Sequence, residues 1–504
     1  MKRMRLLAVA AMVLAPACLE TFTRPAIVGP PIARLAIGPD SALLAGHTLA
    51  LQVKAWDAAG QEVPPSSLIW ESADSGALPV DQQGVVSAPA GSTGGDVAIV
   101  ATAVGRGVSD TLVVHIAVPG EVKWHVALGY LPEQGGPAEG LDGSIYVLGD
   151  MHLGVETGTL YAISPQGQVQ WSHVLTNVDA FNYPIVGSDG VIYVVGQYVY
   201  AFEPDGTLKW SITSRPSENP PNVAASHSGA IAADGSLYAA MGCDLLALRG
   251  ATGDTLWQGP RAPDCGWLLP PTISVDGRTA YIKNTSDPTY VFRTATGAIA
   301  FSIADTSIEL SYGVGPALAG SRLVIPDASH LQEADTNGTE FGVGPDVGLG
   351  ISEPAIAADG TGFVQVPNRN GLKAFGPGAS LLWQVGTPDY RTRWTWYGGP
   401  ALAAGGILYL AGIHGFYSAQ FSPTGATPRW QYPPAGTPGL VFVGAPLIGM
   451  DGTVYSFTSC DFGRTTQLPC SDELYSFWED KPVDPDSPWP MWRHDARRSG
   501  QADR

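Results

Sequence analysis

The chain of 504 residues has few cysteines, few charged side chains and a shortage of basic ones. Charged residues make up 14% of the sequence, and 27 Lys and Arg stand against 46 Asp and Glu. Binding to nucleic acid or to anionic lipid depends on clustered Lys and Arg, so we expect neither as a direct partner. Beyond the first twenty residues, no apolar run is long enough to span a bilayer.

The motifs that mark common catalytic and metal sites are also missing. The sequence contains no CxxC, no adjacent cysteine pair, no HExxH and no DxDxDG calcium loop. We therefore expect no cofactor, no metal site and no enzymatic activity. A carboxylate pair for glycoside hydrolysis, assembled from distant parts of the chain, stays open as an alternative, although no residue pair suggests one.

The N-terminus, MKRMRLLAVAAMVLAPACLE, has the pattern of an export signal over residues 1–17. A basic start precedes the short apolar run Leu6–Leu14. Two cleavage sites compete. Ala15-Pro16-Ala17 suits ordinary signal peptidase and would give a periplasmic or secreted protein. The sequence LAPAC instead resembles a bacterial lipobox, which would make Cys18 the lipidated first residue. We favour the lipobox, and the non-acidic Leu19 then favours the outer membrane.

The other four cysteines form two close sets. An oxidising compartment favours pairing of an even number of cysteines. The pairs that close the shortest loops are Cys243–Cys265 and Cys460–Cys470, and we expect these two disulfides.

Residues 31–118 follow a linker at 18–30 and alternate apolar and polar residues in short runs broken by turn signals, which predicts a β-sandwich. The order L-x-I-x-P, LxAGxT, IWES, VDxxGVVSA and SDTLVV resembles a bacterial Ig-like domain of group 2. Such domains serve as spacers or adhesive units on the envelope. Trp56 and Trp70 are expected to be core or inter-sheet residues, because large rings in a sandwich are usually buried, and the functional alternative is sugar stacking.

A repeated unit occupies residues 119–480. LYAISPQGQVQW at Leu160–Trp171 recurs as VYAFEPDGTLKW at Val199–Trp210. Each copy combines a Gly turn, often Asp-Gly, a following aromatic, a second turn and a closing aromatic. The turn aspartates are Asp142, Asp189, Asp234, Asp276, Asp359 and Asp451. The closing aromatics are Trp171, Trp210, Trp257, Phe301, Phe341, Trp383 and Trp430. A period of about 40 to 47 residues with four strands per unit predicts a β-propeller.

Eight copies of the three inner strands are present, and the eighth lacks its closing G-x-x-x-W strand. Gly120–Trp124, GEVKW, supplies that pattern from the N-terminal side. We predict an all-β protein whose eight-bladed propeller is closed by this strand, because an open array would expose edges. The repeats, and the ending Trp489–Gly500 within a tail at 481–504, resemble PQQ-like propellers. That family includes quinoprotein dehydrogenases and the non-catalytic lipoprotein of the barrel-assembly machine.

The quinoprotein resemblance implies a quinone covered by a vicinal disulfide, which this sequence lacks. Aromatic residues in the connections between blades are the remaining site candidates, because such rings bind peptides or sugars. These possible ligand-face residues are Tyr130, Tyr183, Trp267, Tyr312, Trp394, Trp396 and Tyr397. The alternative is that the rings wedge the loops in place.

The sequence thus predicts a monomeric envelope protein that binds a protein or carbohydrate partner and contacts the membrane through a lipid anchor alone. Two rival functions remain. One is an enzyme acting on carbohydrate or alcohol at the propeller face. The other is a factor in outer-membrane protein assembly, which the family resemblance implies.

Overall fold

The protein is all-β in the computed structural model, and the residues that the model describes contain no helix. The chain divides into two compact units, Met1–Ala117 and Val118–Arg504. The described residues are 32–38, 41–65, 67–131, 135–149, 157–178, 182–212, 227–241, 244–260, 268–285, 288–304, 314–327, 330–345, 351–366, 371–385, 398–412, 414–434, 440–459, 472–491 and 493–502.

The first unit contains nine described strands in three sheets. They are β1 (Arg34–Ile37), β2 (Ala42–Leu44), β3 (Thr48–Ala50), β4 (Val53–Trp56), β5 (Glu62–Val63), β6 (Leu68–Ser72), β7 (Val85–Ser87), β8 (Gly95–Ala103) and β9 (Ser109–Ala117). The sheet orders are β1-β4-β5, β2-β9-β8-β6 and β3-β7. Strands β2 and β9 are parallel, and the other pairs are antiparallel.

The core of the first unit joins side chains from all three sheets around Trp70, which is buried as predicted. Gly84 has a φ of +81° and lies against the Trp70 ring, where an added Cβ would come within 2.5 Å of the ring. Trp56 is half-buried, and the guanidinium carbon of Arg34 lies 3.8 Å from the centre of its ring. This contact is a cation–π arrangement at the surface.

The second unit is a β-propeller. Its described strands are β10 (Val122–Gly129), β11 (Ala138–Glu139), β12 (Ile145–Gly149), β13 (Thr157–Ile163), β14 (Val169–Thr176), β15 (Pro184–Val186), β16 (Ile192–Val195), β17 (Val199–Phe202), β18 (Leu208–Ile212), β19 (His227–Ile231), β20 (Ser236–Met241), β21 (Asp244–Arg249), β22 (Thr255–Gln258), β23 (Thr272–Ile273), β24 (Thr279–Lys283), β25 (Thr289–Arg293), β26 (Ile299–Ile303), β27 (Ala317–Ala319), β28 (Arg322–Pro326), β29 (Leu331–Asp335), β30 (Glu340–Val343), β31 (Ala355–Ile356), β32 (Gly362–Val366), β33 (Gly371–Gly376), β34 (Ser380–Val385), β35 (Ala401–Ala403), β36 (Ile407–Gly412), β37 (Gly415–Ser422), β38 (Gly425–Tyr432), β39 (Val441–Ile448), β40 (Val454–Ser459) and β41 (Asp472–Phe477).

The described strands of this unit form eight four-stranded antiparallel sheets. Seven sheets take four strands in chain order, from β11–β14 to β35–β38, and the last has the order β10-β41-β40-β39. First strands of neighbouring sheets are in contact, as β11 is with β15 and β31 with β35. The first strand of each sheet is therefore the innermost, and the fourth is the outermost. In the last sheet the first strand is β39 and the fourth is β10.

The turn between the first and second strands is stabilised by the predicted aspartates. Asp142 Oδ1 accepts from the Ser144 N–H at 3.0 Å, and Asp451 Oδ1 accepts from the Thr453 N–H at 2.8 Å. Gly143 and Gly452 follow with φ of +79° and +85°. A side-chain acceptor two residues before the N–H and a residue with positive φ are what such a tight turn needs. The Asp–Gly pairs are therefore structural.

In six of the eight described sheets, an aromatic residue of the second strand packs against one of the fourth strand. Tyr146 and Trp171 have ring centroids 5.8 Å apart, and Tyr193 and Trp210 have theirs 6.0 Å apart. The indole N–H then reaches the next sheet, since Trp171 Nε1 donates to Pro204 O at 2.9 Å. The same holds for the indole N–H groups of Trp210, Trp257 and Trp430, so these tryptophans are inter-sheet residues.

The sheet made from both ends of this unit repeats this arrangement. Trp124 on β10 lies 5.7 Å from Tyr455 between ring centroids, and its Nε1 donates to Pro165 O at 2.8 Å in the first sheet. Gly120 takes the place of the turn glycine, with a φ of +86° and the Trp430 ring beneath it. The strand predicted at Gly120–Trp124 is observed as β10, which begins at Val122, ends at Gly129 and pairs with β41.

The interpretation of Phe341 as a closing aromatic is wrong. The fourth strands bulge, so that Ala162 pairs with Trp171 and Ile163 with Val169. In β30 the same bulge pairs Glu333 with Gly342, which puts Gly342 at the tryptophan position and leaves Phe341 53% exposed.

In this sheet a largely buried ion pair stands in place of the aromatic pair. Arg322 Nε lies 3.7 Å from Glu333 Oε2, and that carboxylate also accepts from the Gly378 N–H at 2.9 Å. Arg322 also donates from Nη2 to Gly360 O at 2.6 Å, so the pair bonds to the next sheet as the indole does elsewhere.

Candidate functional site

The C-terminal segment, residues 481–502, runs across the inner strands at the end that carries the Asp–Gly turns. Its carbonyl groups accept from backbone N–H groups of successive first strands. Trp489 O accepts from Ile356 at 2.7 Å, Ala496 O from Glu139 at 2.8 Å and Ser499 O from Ile231 at 2.9 Å. Further bonds of this kind join Pro490 to Leu402, Arg497 to Val186 and Gly500 to Ile273. The segment thus connects six of the eight sheets through their backbones.

A fully buried cluster lies where this segment enters the ring of first strands. Glu353 Oε1 accepts from Trp489 Nε1 at 3.0 Å and from the Arg493 backbone N–H at 2.8 Å. The Arg493 guanidinium lies 3.8 Å from the other carboxylate oxygen, and both side chains have no solvent exposure. Burial raises the pKa of Glu353, while the positive charge of Arg493 opposes that rise.

A second buried guanidinium lies in the same interior. Arg498 Nε donates to Pro137 O at 2.9 Å, and its Nη2 donates to Pro446 O at 3.0 Å. These two carbonyls precede or belong to the first strands of the first and last sheets, so Arg498 bridges the seam. Burial lowers the pKa of Arg498 to about 9. This side chain therefore donates hydrogen bonds to carbonyl groups of two buried prolines.

Two of the predicted ligand-face aromatics are described. Tyr183 is 2% exposed, and its hydroxyl donates to Gly229 O at 3.1 Å. Burial raises its pKa to about 12. For Tyr183 the structure therefore favours the wedging alternative. Tyr130 is 40% exposed and keeps its candidacy as a ligand-face residue. Trp267, Tyr312, Trp394, Trp396 and Tyr397 lie outside the described residues.

The cysteine predictions also fall outside the described part of the chain. This concerns Cys18, Cys243, Cys265, Cys460 and Cys470. The part that is described contains no group of three or more His, Cys, Asp or Glu side chains placed to hold a metal ion. Within the same ranges, no helix has the length and apolar character needed to cross a membrane.

Sequence reasoning missed what the C-terminal segment does. The sequence predicts only a tail after the propeller at 481–504. His494 is 4% exposed and its ring lies edge-on to Trp489 at 5.1 Å between centroids. The available signal was the density of Trp, Met, Arg and His in WPMWRHDARRSG, since such residues are costly to leave exposed or unpaired. That signal indicates burial, but it does not show which elements the segment packs against.

The comparisons with known proteins agree with this architecture. The family model described as outer membrane protein assembly factor BamB matches residues 109–264. No curated protein matches the chain. The computationally designed Ika8 protein has 10% identity and a TM-score of 0.51, over 71% of this chain and 99% of its own.

Two further solved structures have slightly lower scores. BamB from Moraxella catarrhalis is 14% identical over 71% of this chain and 96% of its own, with a TM-score of 0.49. The C-terminal WD40 domain of Sif2 is 9% identical over 72% and 99%, with a TM-score of 0.49. The four-stranded sheets define the second unit as a β-propeller, and the family match indicates PQQ-like repeats within residues 109–264. Within that class, residues 109–264 are similar to BamB.

Proposed function

We propose that this protein is a non-catalytic scaffold of the bacterial cell envelope that binds another protein. In this proposal, residues 119–480 form an eight-bladed propeller, residues 31–118 form an Ig-like β-sandwich that acts as a spacer, and a lipid on Cys18 anchors the chain. The buried C-terminal segment carries the non-catalytic part of the proposal. Glu353, Arg493 and Arg498 are buried charged groups at the ring of first strands, and each bonds to protein atoms.

The binding test starts from detergent-solubilised envelopes of the native host. We expect the tagged protein to retain a defined protein partner in stoichiometric amount after a high-salt wash. Purified protein supplied with PQQ and Ca²⁺ should show no dye-linked dehydrogenase activity on alcohols or sugars. Turnover with either substrate class would overturn the proposal and support the quinoprotein-like alternative.

A second candidate function is outer-membrane protein assembly. The similarity of residues 109–264 to the BamB family model is the observation that favours it. On this hypothesis, deleting the gene should lower the amount of folded β-barrel proteins in the outer membrane, measured by heat-modifiable mobility on gels. Unchanged barrel levels would reject this candidate and leave the general scaffold proposal in place.

The anchor is tested by the intact mass of the mature protein. A chain that begins at Cys18 with added acyl mass supports an outer-membrane lipoprotein. A chain without acyl mass that begins at Cys18 contradicts the anchor and supports a periplasmic or secreted protein.

A further inference from the structure

Two cavities flank the C-terminal segment at the end of the propeller that carries the Asp–Gly turns. The larger has a volume of about 420 Å³, and the smaller has one of about 280 Å³. They share His494, Asp495 and Arg497 as a common wall. We call the two cavities and this wall the tail groove. Because the two cavities lie on either side of one segment and share this wall, we treat them as one elongated surface.

Part of the lining of the larger cavity is apolar and rich in proline. Pro482, Pro485 and Pro490 from the segment face Ile448 and Met450 from the last sheet. Proline rings have few conformations to lose, so a ligand that binds here meets a preformed wall. Met450 is 55% exposed, and a flexible, polarisable side chain of this kind adapts to apolar ligands. The described lining of both cavities includes no Trp, Tyr or Phe, the rings on which sugars stack.

The surroundings of the tail groove are acidic. The turn aspartates Asp142, Asp189, Asp234, Asp276, Asp359 and Asp451 all lie at this end of the propeller, and Asp484 and Asp486 belong to the segment. Basic side chains near the groove are already paired. Arg497 Nη2 lies 3.1 Å from Asp495 Oδ2, and Lys481 Nζ lies 3.0 Å from Asp480 Oδ1. Two turn carboxylates also have cationic neighbours, since Lys123 Nζ lies 3.6 Å from Asp451 Oδ2 and Arg278 Nη1 lies 4.0 Å from Asp276 Oδ2. The carboxylates still outnumber these cations, so we expect this end to attract cations and repel acidic partners.

We propose that the tail groove docks an extended segment of the partner protein that presents apolar side chains flanked by Lys or Arg. The apolar side chain would fill the larger cavity beside Met450, and the flanking cations would lie against the turn carboxylates. This inference rests on the proposed protein-binding function and assigns a surface to it. An acidic peptide lacks the positive charge, and an uncharged polar peptide lacks both the charge and the apolar side chains.

The test uses the purified full-length chain and synthetic labelled peptides in fluorescence anisotropy. GKLSLKG carries both features, GELSLEG reverses the charge, and GKGSGKG removes the apolar side chains. We expect saturable binding of GKLSLKG alone, weakening as NaCl is raised because the charge contribution is screened. Equal binding of all three peptides, or binding of none, would overturn the proposal.

Matched variants locate the site. Met450→Lys changes the groove wall but keeps the backbone N–H that bonds to Glu139. We expect it to weaken GKLSLKG binding about tenfold or more, a loss of about 1.4 kcal/mol. Val174→Lys introduces the same charge at a residue that is 75% exposed on β14, and it should leave binding unchanged. Thermal melting of both variants checks folding. Equal affinities in the two variants contradict the assignment to the tail groove.

The failure of this inference is separable from that of the proposed function. If Met450→Lys still retains the native partner from envelopes while the peptides do not bind, the partner uses another surface, so the inference fails and the scaffold function stands. If no partner is retained and turnover appears, the scaffold function itself fails.

Discussion

At the scale of single residues, glycines of the second turns accommodate the tryptophans of neighbouring sheets. Gly206 has a φ of +88°, and an added Cβ would come within 2.9 Å of the Trp171 ring. Gly167 has the same relation to Trp124, and Gly253 has it to Trp210. The absence of a Cβ permits both the positive φ and the close approach of the ring. One residue type thereby serves the turn and the contact between sheets.

Replacing Gly206 by Ala separates these two roles when it is compared with Gly235→Ala. Gly235 has a similar φ of +81°, but no atom lies within 4 Å of its added Cβ. We expect Gly235→Ala to cost about 1 kcal/mol from backbone strain. Gly206→Ala should cost about 1 to 3 kcal/mol more, because the ring is also displaced. Urea unfolding of both variants measures the difference, and equal costs would show that the ring contact contributes nothing.

Glu139 is expected to make stability depend on pH. It lies on β11 at the seam, is 3% exposed, and accepts from the Met450 N–H at 2.7 Å. Burial raises its pKa from 4.5 to about 7, with Asp451 and Asp142 adding to the rise. The folded state therefore holds the proton more tightly than the unfolded chain. This contribution to stability is lost as pH rises from about 4.5 through 7.

Glu139→Gln should remove the loss of stability that Glu139 causes as pH rises. Above pH 7 we expect the variant to be more stable than the parent, by on the order of 3 kcal/mol, and near pH 4 the two should converge. The matched control is Glu340→Gln, which changes an exposed carboxyl on β30. Guanidinium unfolding at several pH values gives the comparison. A difference that does not vary with pH would contradict the argument.

At the scale of elements, the closing sheet reproduces the repeat with strands from opposite ends of the unit. The turn that would join its third and fourth strands is divided between two distant chain segments. The backbone nevertheless bonds across it, since the Gly120 N–H donates to Trp478 O at 2.9 Å and the Trp478 N–H to Glu121 O at 2.8 Å. Strand β10 therefore has the environment of an ordinary fourth strand.

Trp124→Ala tests this equivalence against Trp171→Ala. Both tryptophans pack on a second-strand tyrosine of their own sheet and donate to a carbonyl of the next. We expect both variants to lose about 3 to 5 kcal/mol of stability. A cost near zero for Trp124 alone, measured by chemical denaturation, would mean that β10 does not close the propeller in solution.

At the scale of the whole molecule, two sets of contacts between segments distant in sequence stabilise the propeller. Strand β10 pairs with β41, and the C-terminal segment bonds to first strands around the ring. The segment also buries Trp489, Met491 and Arg493 completely. Apolar burial and bonded carbonyl groups of this extent are a substantial share of the stability of a protein domain.

Two truncations should differ in their effect on the melting temperature of the propeller. Removing residues 481–504 should lower the melting temperature of the propeller by about 5 °C or more, because Trp489 is lost and inner-strand N–H groups lose their acceptors. Removing residues 1–117, the first unit, should leave that melting temperature almost unchanged. Differential scanning calorimetry of both proteins checks the order, and the reverse order would contradict the domain boundary.

The sequence by itself determined the features that depend on local physics. Asp142-Gly143 predicts a tight turn, and the spacing of Tyr146 and Trp171 predicts second and fourth strands, because turn geometry and strand alternation act over a few residues. Tertiary structure alone decided that Gly342 rather than Phe341 holds the tryptophan position, because a bulge sets the register through cross-strand pairing. It also decided that Tyr183 is buried and that the tail groove exists, because both depend on contacts between different sheets and the C-terminal segment.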